Sequence, residues 1–210
     1  CDYKYSGSKA DFARQGHTLR EGPHGGDLAW RGQPGSDNYY GFLKGKLDKG
    51  TDDIYFDSDW AKVLGAVDFI RSYDGDKPLC IFLPLGYPHP PYCAEEPFYS
   101  QIDRRRLPPR ITLPNTMPGK PAILKKLRLL QGTDGWPEER WTDLRAIYYA
   151  MCARVDHQLG RILEALTARG FYDDSAIFIF ADHGDFAGDY GIVEKTETSF
   201  EDCLTRVPLV

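Results

Sequence analysis

Two side chains with metal-binding chemistry follow a hydrophobic run near the end of this chain. Residues 177–181 read Ile-Phe-Ile-Phe-Ala, and Asp182, His183 and Gly184 come directly after them. A run of β-branched and aromatic residues that ends at polar residues and glycine predicts a buried strand. In α/β sheets, ligands and catalytic groups collect where the chain leaves the carboxyl end of a strand. The carboxylate of Asp182 and the imidazole of His183 therefore predict half of a metal site.

A simpler interpretation of these residues stays open, in which Asp182 only caps a helix and His183 is a surface histidine. Neighbouring side chains of a regular strand point to opposite faces, so the two reach one site only if the chain turns. Gly184 favours such a turn. The polar, glycine-rich loop that follows, residues 184–194, favours the functional interpretation, because loops on a rigid scaffold commonly carry chemistry. Beyond it, Lys195 offers a fixed positive charge to an anionic substrate.

This stretch resembles the carboxyl-terminal motif block of the sulfatase family, which belongs to the alkaline-phosphatase superfamily. The resemblance rests on Phe180-Ala-Asp-His-Gly184, on Glu194-Lys195, and on residues 200–210, which read Phe-Glu-Asp-Cys-Leu-Thr-Arg-Val-Pro-Leu-Val. The family pattern is a strand, Asp-His-Gly or Asp-Asn-Gly, a glycine-rich loop with a lysine, and an acidic turn that leads into Arg-Val-Pro. The order and spacing of the residues agree with this pattern.

A second motif is similar to the same family. Residues 79–92 read Leu-Cys-Ile-Phe-Leu-Pro-Leu-Gly-Tyr-Pro-His-Pro-Pro-Tyr, which matches the family's strand followed by Pro-His-x-Pro and places His89 in that motif. The two blocks together cover roughly residues 57–210, and their joint occurrence is much more specific than either block alone.

The hydrophobic pattern predicts an α/β fold with a mostly parallel sheet, because a long helix lies between hydrophobic strands. The resemblance implies the same sulfatase-like fold, with helices on both faces of the sheet. The predicted elements are a helix capped at Asp57, a strand at residues 79–83, a helix from about Glu138 to Arg169, a strand at residues 175–181 and a final strand from Val207.

Three regions differ in composition. Residues 1–56 are rich in Gly, Asp, Tyr and Lys without a sustained period, and they predict a loop-rich segment or flap. Residues 57–210 are expected to form part of the α/β core. Within them, the prolines of residues 84–137 interrupt regular structure and predict lid loops that face the substrate. Since the chain opens on Cys1 and stops at Val210 as a strand begins, we expect an internal portion, incomplete at both ends.

The overall composition narrows the classes of partner. A net charge of −5 gives no broad basic surface, so nucleic acid is not an expected partner. No stretch approaches the roughly 20 apolar residues of a membrane-spanning helix. The five cysteines lack the spacing of a zinc site. Their scattered, odd number favours a reducing, cytoplasmic compartment, although a periplasmic or secreted location and any oligomeric state stay open.

The resemblance implies a role for each candidate site residue. Asp182 and His183 would bind a divalent metal ion, with Ca²⁺ as the default and Mn²⁺, Mg²⁺ or Zn²⁺ as alternatives. Lys195 would contact the oxygens of a sulfate ester of a small molecule or carbohydrate. His89 would hydrogen-bond the sulfate or the leaving-group oxygen, since imidazole delivers protons near neutral pH. The implied activity is that of a sulfuric ester hydrolase.

One part of the family pattern has no counterpart here. Sulfatases carry Cys- or Ser-x-Pro/Ala-x-Arg, whose first residue is oxidised to the formylglycine nucleophile. None of the five cysteines is followed by proline two places on and arginine four places on, and the family's early Asp-Asp ligands are missing too. The nucleophile is therefore expected outside this chain. Two alternatives also stay open: a phosphodiesterase or phosphonate monoester hydrolase of the same superfamily, and a non-catalytic sulfatase-like binding module.

The isolated 210-residue chain is predicted to hydrolyse an aryl sulfate at a negligible rate, because it lacks a nucleophile for the sulfur centre. Release of the phenol from a chromogenic aryl sulfate measures this directly. Robust turnover by the isolated chain would contradict the prediction.

Overall fold

The fold is α/β, as predicted, with helices packed on a short parallel sheet. The computed structural model describes residues 43–114, 116–196 and 198–210, and predictions for residues 1–42 lie outside these ranges. The elements in chain order are strand β1 (Leu43–Lys46), helix α1 (Ser58–Ser72), strand β2 (Tyr92–Ala94), helix α2 (Phe98–Gln101), helix α3 (Ala122–Gln131), helix α4 (Glu138–Ala168) and helix α5 (Asp202–Thr205), with 3-10 turns at Arg104–Arg106 and Asp189–Gly191.

Helix α1 begins where the sequence predicts it. The carboxylate of Asp57 accepts hydrogen bonds from the backbone N–H groups of Asp59 and Trp60, both at 3.1 Å, and so satisfies two N–H groups of the first turn. The apolar residues of the helix recur at helical spacing and form its buried face. They are Trp60, Val63, Val67 and Ile70.

Helix α4 is the longest element, at 31 residues, and it connects the other parts of the core. Its middle packs Leu144, Ile147 and Met151 against Tyr92 of β2. Its carboxyl-terminal turns pack Ala165 and Leu166 on the buried face of α1. As predicted, the helix ends just before Gly170. Among the described residues, no helix has the length and hydropathy of a membrane span.

A buried ion-pair cluster joins α1, β2 and α4. Arg154 of α4 is fully buried; its Nε donates to Glu95 Oε1 at 2.9 Å, and its Nη2 donates to Asp57 Oδ2 at 2.7 Å. The guanidinium also lies over the ring of Tyr87, 4.1 Å from its centroid. Burial raises the pKa of Asp57, and the charge of Arg154 opposes that shift. Because a buried charge needs its partners, the cluster fixes where these three elements meet.

The predicted strand at residues 79–83 does not form. A strand needs a partner for its backbone N–H and C=O groups, and no segment among residues 43–114, 116–196 and 198–210 forms a ladder with it. Its middle side chains are correspondingly open to solvent, with Phe82 63% exposed, whereas Leu79 and Leu83 are half-buried. Cys80, which lies within this predicted strand, is exposed as well.

The predicted strands at residues 175–181 and from Val207 pair only briefly, and they pair antiparallel. Ile179 and Val210 exchange two backbone hydrogen bonds of 2.9 Å, and Phe180 forms a bridge with Leu209. The parallel ladder of the described residues is instead β1 with β2. The sequence did not predict β1, which lies inside the segment expected to be a flap.

Candidate active site

The two predicted metal-binding side chains lie side by side. Asp182 Oδ2 is 3.8 Å from His183 Nε2, and the Asp182 side chain is 89% exposed. His183 Nδ1 lies 2.7 Å from the carbonyl oxygen of Gly184. A carbonyl only accepts, so Nδ1 carries the proton and Nε2 presents its lone pair. Metal-ligating histidines are commonly oriented by such a bond to a backbone carbonyl. We call Asp182 and His183 the metal pair.

The two predicted anion contacts also meet. Lys195 Nζ lies 2.9 Å from His89 Nε2, although the residues are 106 positions apart in the chain. His89 Nδ1 lies 2.7 Å from the carbonyl oxygen of Pro90, so Nδ1 carries the proton and Nε2 accepts from the lysine ammonium. The pair presents a positive charge and an imidazole at the surface. We call His89 and Lys195 the anion pair.

A buried carboxylate holds the turn that presents His89. Asp59 of α1 is 2% exposed, and its oxygens accept from the backbone N–H of Gly86 at 2.9 and 2.8 Å and from that of Tyr87 at 2.9 Å. Charge-assisted bonds of this kind are about twice as strong as neutral ones. The sequence predicted a helix start at Asp57 but no role for Asp59, since nothing in its spacing shows a partner 27 residues away.

The glycine-rich loop, residues 184–194, is compact and conformationally strained. Phe186 N donates to Glu194 O at 3.0 Å, which closes the loop into a hairpin. Three of its residues other than glycine have positive φ: Ala187 at 44°, Tyr190 at 58° and Glu194 at 64°. Such backbone persists only when its surroundings determine it, and it clusters at functional sites.

The proline-rich segment supplies part of that support. The Gln131 side chain donates to Val193 O at 2.8 Å and accepts from Val193 N at 2.9 Å, in the manner of a neighbouring strand. Ile111 N donates to Asp189 at 2.7 Å, and Thr133 donates to Gly191 O at 2.6 Å. Helix α3, which the sequence did not predict, carries Gln131. The lid role of residues 84–137 stays a prediction, and these contacts attach the segment to the glycine-rich loop.

Tyr92 and the half-buried Asp185 form a contact between segments that carry the two pairs. Tyr92 is fully buried, and its hydroxyl donates to the Asp185 carboxylate oxygens at 2.8 and 3.0 Å. The same hydroxyl oxygen accepts from Glu194 N at 2.9 Å. Burial raises the pKa of the Asp185 carboxyl to about 6, and the Tyr92 hydroxyl opposes that shift. Sequence reasoning missed both residues as site components, because neither residue type by itself indicates a long-range partner.

The arrangement fits part of a cation and oxyanion site. A carboxylate and an imidazole nitrogen at the surface are suitable metal donors, and an ammonium and an imidazole are suitable donors to an anion. Within the described ranges, no group of three or more His, Cys, Asp and Glu side chains could hold a metal ion. The metal pair therefore supplies two donors of a metal coordination shell.

Other basic and imidazole side chains of the described residues pair with carboxylates or pack against the core. Arg104 contacts Asp143 at 2.5 Å, and Arg105 contacts Asp103 at 3.0 Å. These ion pairs neutralise two of the three consecutive arginines at residues 104–106. His157 of α4 packs its ring against Trp60, with centroids 5.8 Å apart, and is a packing residue of the helix surface.

Comparison with known proteins identifies what the chain is similar to. The protein-family model for sulfatases matches residues 14–210. Over 160 residues the chain is 29% identical to the multifunctional alkaline phosphatase superfamily protein PehA of Trinickia caryophylli, covering 69% of this chain and 30% of that protein. Over 167 residues it is 26% identical to arylsulfatase K of Mus musculus, covering 72% of this chain and 29% of that protein.

A solved structure gives the same fold. The phosphonate monoester hydrolase of Agrobacterium radiobacter superposes with a TM-score of 0.61 at 29% identity, over 71% of this chain and 32% of that one. The chain thus spans about a third or less of the length of each of these relatives.

Gly184 is predicted to be intolerant of a side chain. A methyl group there would lie 2.0 Å from the backbone oxygen of Cys203, where backbone atoms cannot easily yield. We expect Gly184→Ala to lower the free energy of unfolding in urea by about 1–3 kcal/mol.

Gly160 of α4 is the matched control, because a methyl group there meets no atom within 4 Å. We expect Gly160→Ala to raise stability by about 0.5–1 kcal/mol, as alanine does in a helix. Equal stability of the two variants would contradict the crowding at Gly184.

Proposed function

The chain belongs to the sulfatase family, and we propose that it is part of a metal-assisted sulfuric ester hydrolase. The observation that carries the proposal is the presence of two complementary pairs at the predicted positions. The metal pair offers a carboxylate oxygen and an imidazole nitrogen 3.8 Å apart. The anion pair places an ammonium 2.9 Å from a second imidazole. Together they suit a cation and a bound oxyanion.

The metal pair would hold a divalent ion, which members of this family use. We propose Ca²⁺, because a carboxylate is a hard oxygen ligand; Mn²⁺, Mg²⁺ or Zn²⁺ would accept the imidazole too. A bound divalent ion supplies Lewis-acid stabilisation of negative charge on a transferring group. The chain's own contribution is to orient the two donors: Gly184 O accepts the Nδ1 proton of His183, which keeps Nε2 available.

The anion pair would bind the sulfate group of the ester. Lys195 would donate to its nonbridging oxygens through a charge-assisted hydrogen bond. His89 holds its proton on Nδ1, bonded to Pro90 O, so a second proton on Nε2 would be needed to donate to a leaving oxygen. Its place beside Lys195 brings both groups to one oxyanion. The nucleophile, formylglycine in this family's pattern, would come from outside these 210 residues.

The geometry also supports a second function, hydrolysis of a phosphonate or phosphate ester. The solved structure that the chain resembles at a TM-score of 0.61 is a phosphonate monoester hydrolase. A sulfate and a phosphonate ester both present anionic oxygens to a cation, a lysine and a histidine, so the described side chains suit either substrate. The arylsulfatase and choline-sulfatase relatives favour the sulfate ester.

Replacement of Asp182 tests the metal assignment. We expect Asp182→Ala to weaken Ca²⁺ or Mn²⁺ binding at least about tenfold, which corresponds to about 1.4 kcal/mol, because a charged ligand is lost. Isothermal titration calorimetry on the 210-residue chain measures the affinity.

Asp174→Ala serves as the control. Asp174 is exposed like Asp182, but it lies before the hydrophobic run that Asp182 follows. It should bind the ion as the unmodified chain does. Equal affinities of the Asp182 and Asp174 variants would rule out Asp182 as a ligand.

A further inference from the structure

We propose that Tyr92 is a positioning residue whose hydroxyl sets the arrangement of the metal pair relative to the anion pair. The inference rests on the proposed function of those pairs. Tyr92 would touch neither metal nor substrate and would act through its neighbours.

The Tyr92 hydroxyl connects three segments that carry proposed site residues: it belongs to one and contacts the other two. Tyr92 itself follows His89 by three residues. Its hydroxyl donates to Asp185, which follows His183 by two residues, at 2.8 Å. The same oxygen accepts from the backbone N–H of Glu194, the residue before Lys195, at 2.9 Å. The Tyr92 hydroxyl is therefore a common fixed point for all three segments.

The phenol is rigidly held. Tyr92 is 0% exposed, and its ring packs in the cluster formed with α4, which includes Leu144 and Met151. Burial raises the pKa of Tyr92 well above its ordinary value, so the hydroxyl keeps the proton that it donates. A tyrosine ring that is fixed at one end delivers its hydroxyl to one position, because only two torsions orient the side chain.

The groups bound by the hydroxyl depend on it. The Asp185 carboxylate is half-buried, and in addition to the hydroxyl it accepts from Ala187 N at 2.7 Å. Without the hydroxyl, the carboxylate and the Glu194 N–H would have to find other partners, since leaving a buried polar group unpaired is costly. Glu194 and Ala187 hold positive φ values of 64° and 44°. The ends of the glycine-rich loop would then relax and carry His183 and Lys195 with them.

Tyr148 provides a matched control. It is half-buried and packs at the edge of the Tyr92 ring, with centroids 6.3 Å apart, in the same cluster. Tyr148→Phe and Tyr92→Phe each remove one hydroxyl from one tyrosine of this cluster. A general effect of losing a hydroxyl would appear in both variants, whereas positioning predicts an effect of Tyr92→Phe alone.

The test uses ¹⁵N NMR of the histidine rings in the metal-free 210-residue chain. We expect the unmodified chain and Tyr148→Phe to show His89 and His183 with the proton on Nδ1. In Tyr92→Phe the difference between the two ring nitrogens should decrease for both residues, as their contacts loosen. His157 of α4 is an internal reference and should stay unchanged. Unchanged His89 and His183 signals in Tyr92→Phe would overturn the proposal.

A second variant covers the case in which Tyr92→Phe does not fold, as judged by circular dichroism. Asp185→Asn keeps the phenol and leaves one oxygen to accept from it, so the His183 signals should shift in the same direction. If they do not, the proposal is wrong.

Calorimetry with Ca²⁺ and inorganic sulfate separates the two hypotheses. If the unmodified chain binds neither ion, the proposed function fails, and the ring signals still decide whether Tyr92 positions the segments. If the chain binds both and Tyr92→Phe binds them equally well with unchanged ring signals, the positioning role fails and the proposed function stands.

Discussion

Buried carboxylates must find donors, and this requirement organises the structure around its proposed site. Asp57 and Glu95 are paired with Arg154, which connects the start of α1 to β2 and α4. Asp59 accepts from two backbone N–H groups of the turn before His89. Asp185 is bound by the Tyr92 hydroxyl. Leaving Asp57, Glu95 or Asp59 unpaired in the interior would cost several kcal/mol, so the donors to these three buried carboxylates fix the segments that carry them.

The side chains with proposed chemistry show the opposite distribution. Asp182 and His89 are exposed, and His183 and Lys195 are partly so. Reactive groups at the surface are available to ligands, and the buried residues Asp59 and Tyr92 hold the segments that carry them. The glycine-rich loop depends on support of the same kind. Its positive φ values persist because other contacts hold the backbone, including those of Gln131.

The sequence predicts the local features of this molecule well. Asp57 and the spacing of apolar residues predict α1, and the long helical period before Gly170 predicts α4, because capping and periodicity act within a few turns. The motif residues Asp182, His183, His89 and Lys195 are singled out by the resemblance to the sulfatase family, and their roles stay predictions. Asp182 lies beside its chain neighbour His183. His89 and Lys195 are 106 residues apart, and no local pattern predicts their contact.

The features that the sequence does not show are long-range. Tyr92 and Asp185 are 93 residues apart, and Arg154 and Asp57 are 97 apart, so neither pairing has a local pattern. The run at residues 79–83 has strand composition, yet a strand also requires a partner for its backbone, and composition does not report one. The short strand β1 lies in a segment rich in glycine and charge, and its pairing with β2 decides its structure.

The central claim is that the metal pair and the anion pair form one site for a cation and an oxyanion. A crystal of the chain grown with Mn²⁺ and sulfate tests it most directly through the anomalous scattering of manganese. The account predicts an anomalous peak bonded to Asp182 and to Nε2 of His183, with sulfate in contact with both Lys195 and His89. Manganese bound elsewhere, or sulfate that touches neither member of the anion pair, would contradict it.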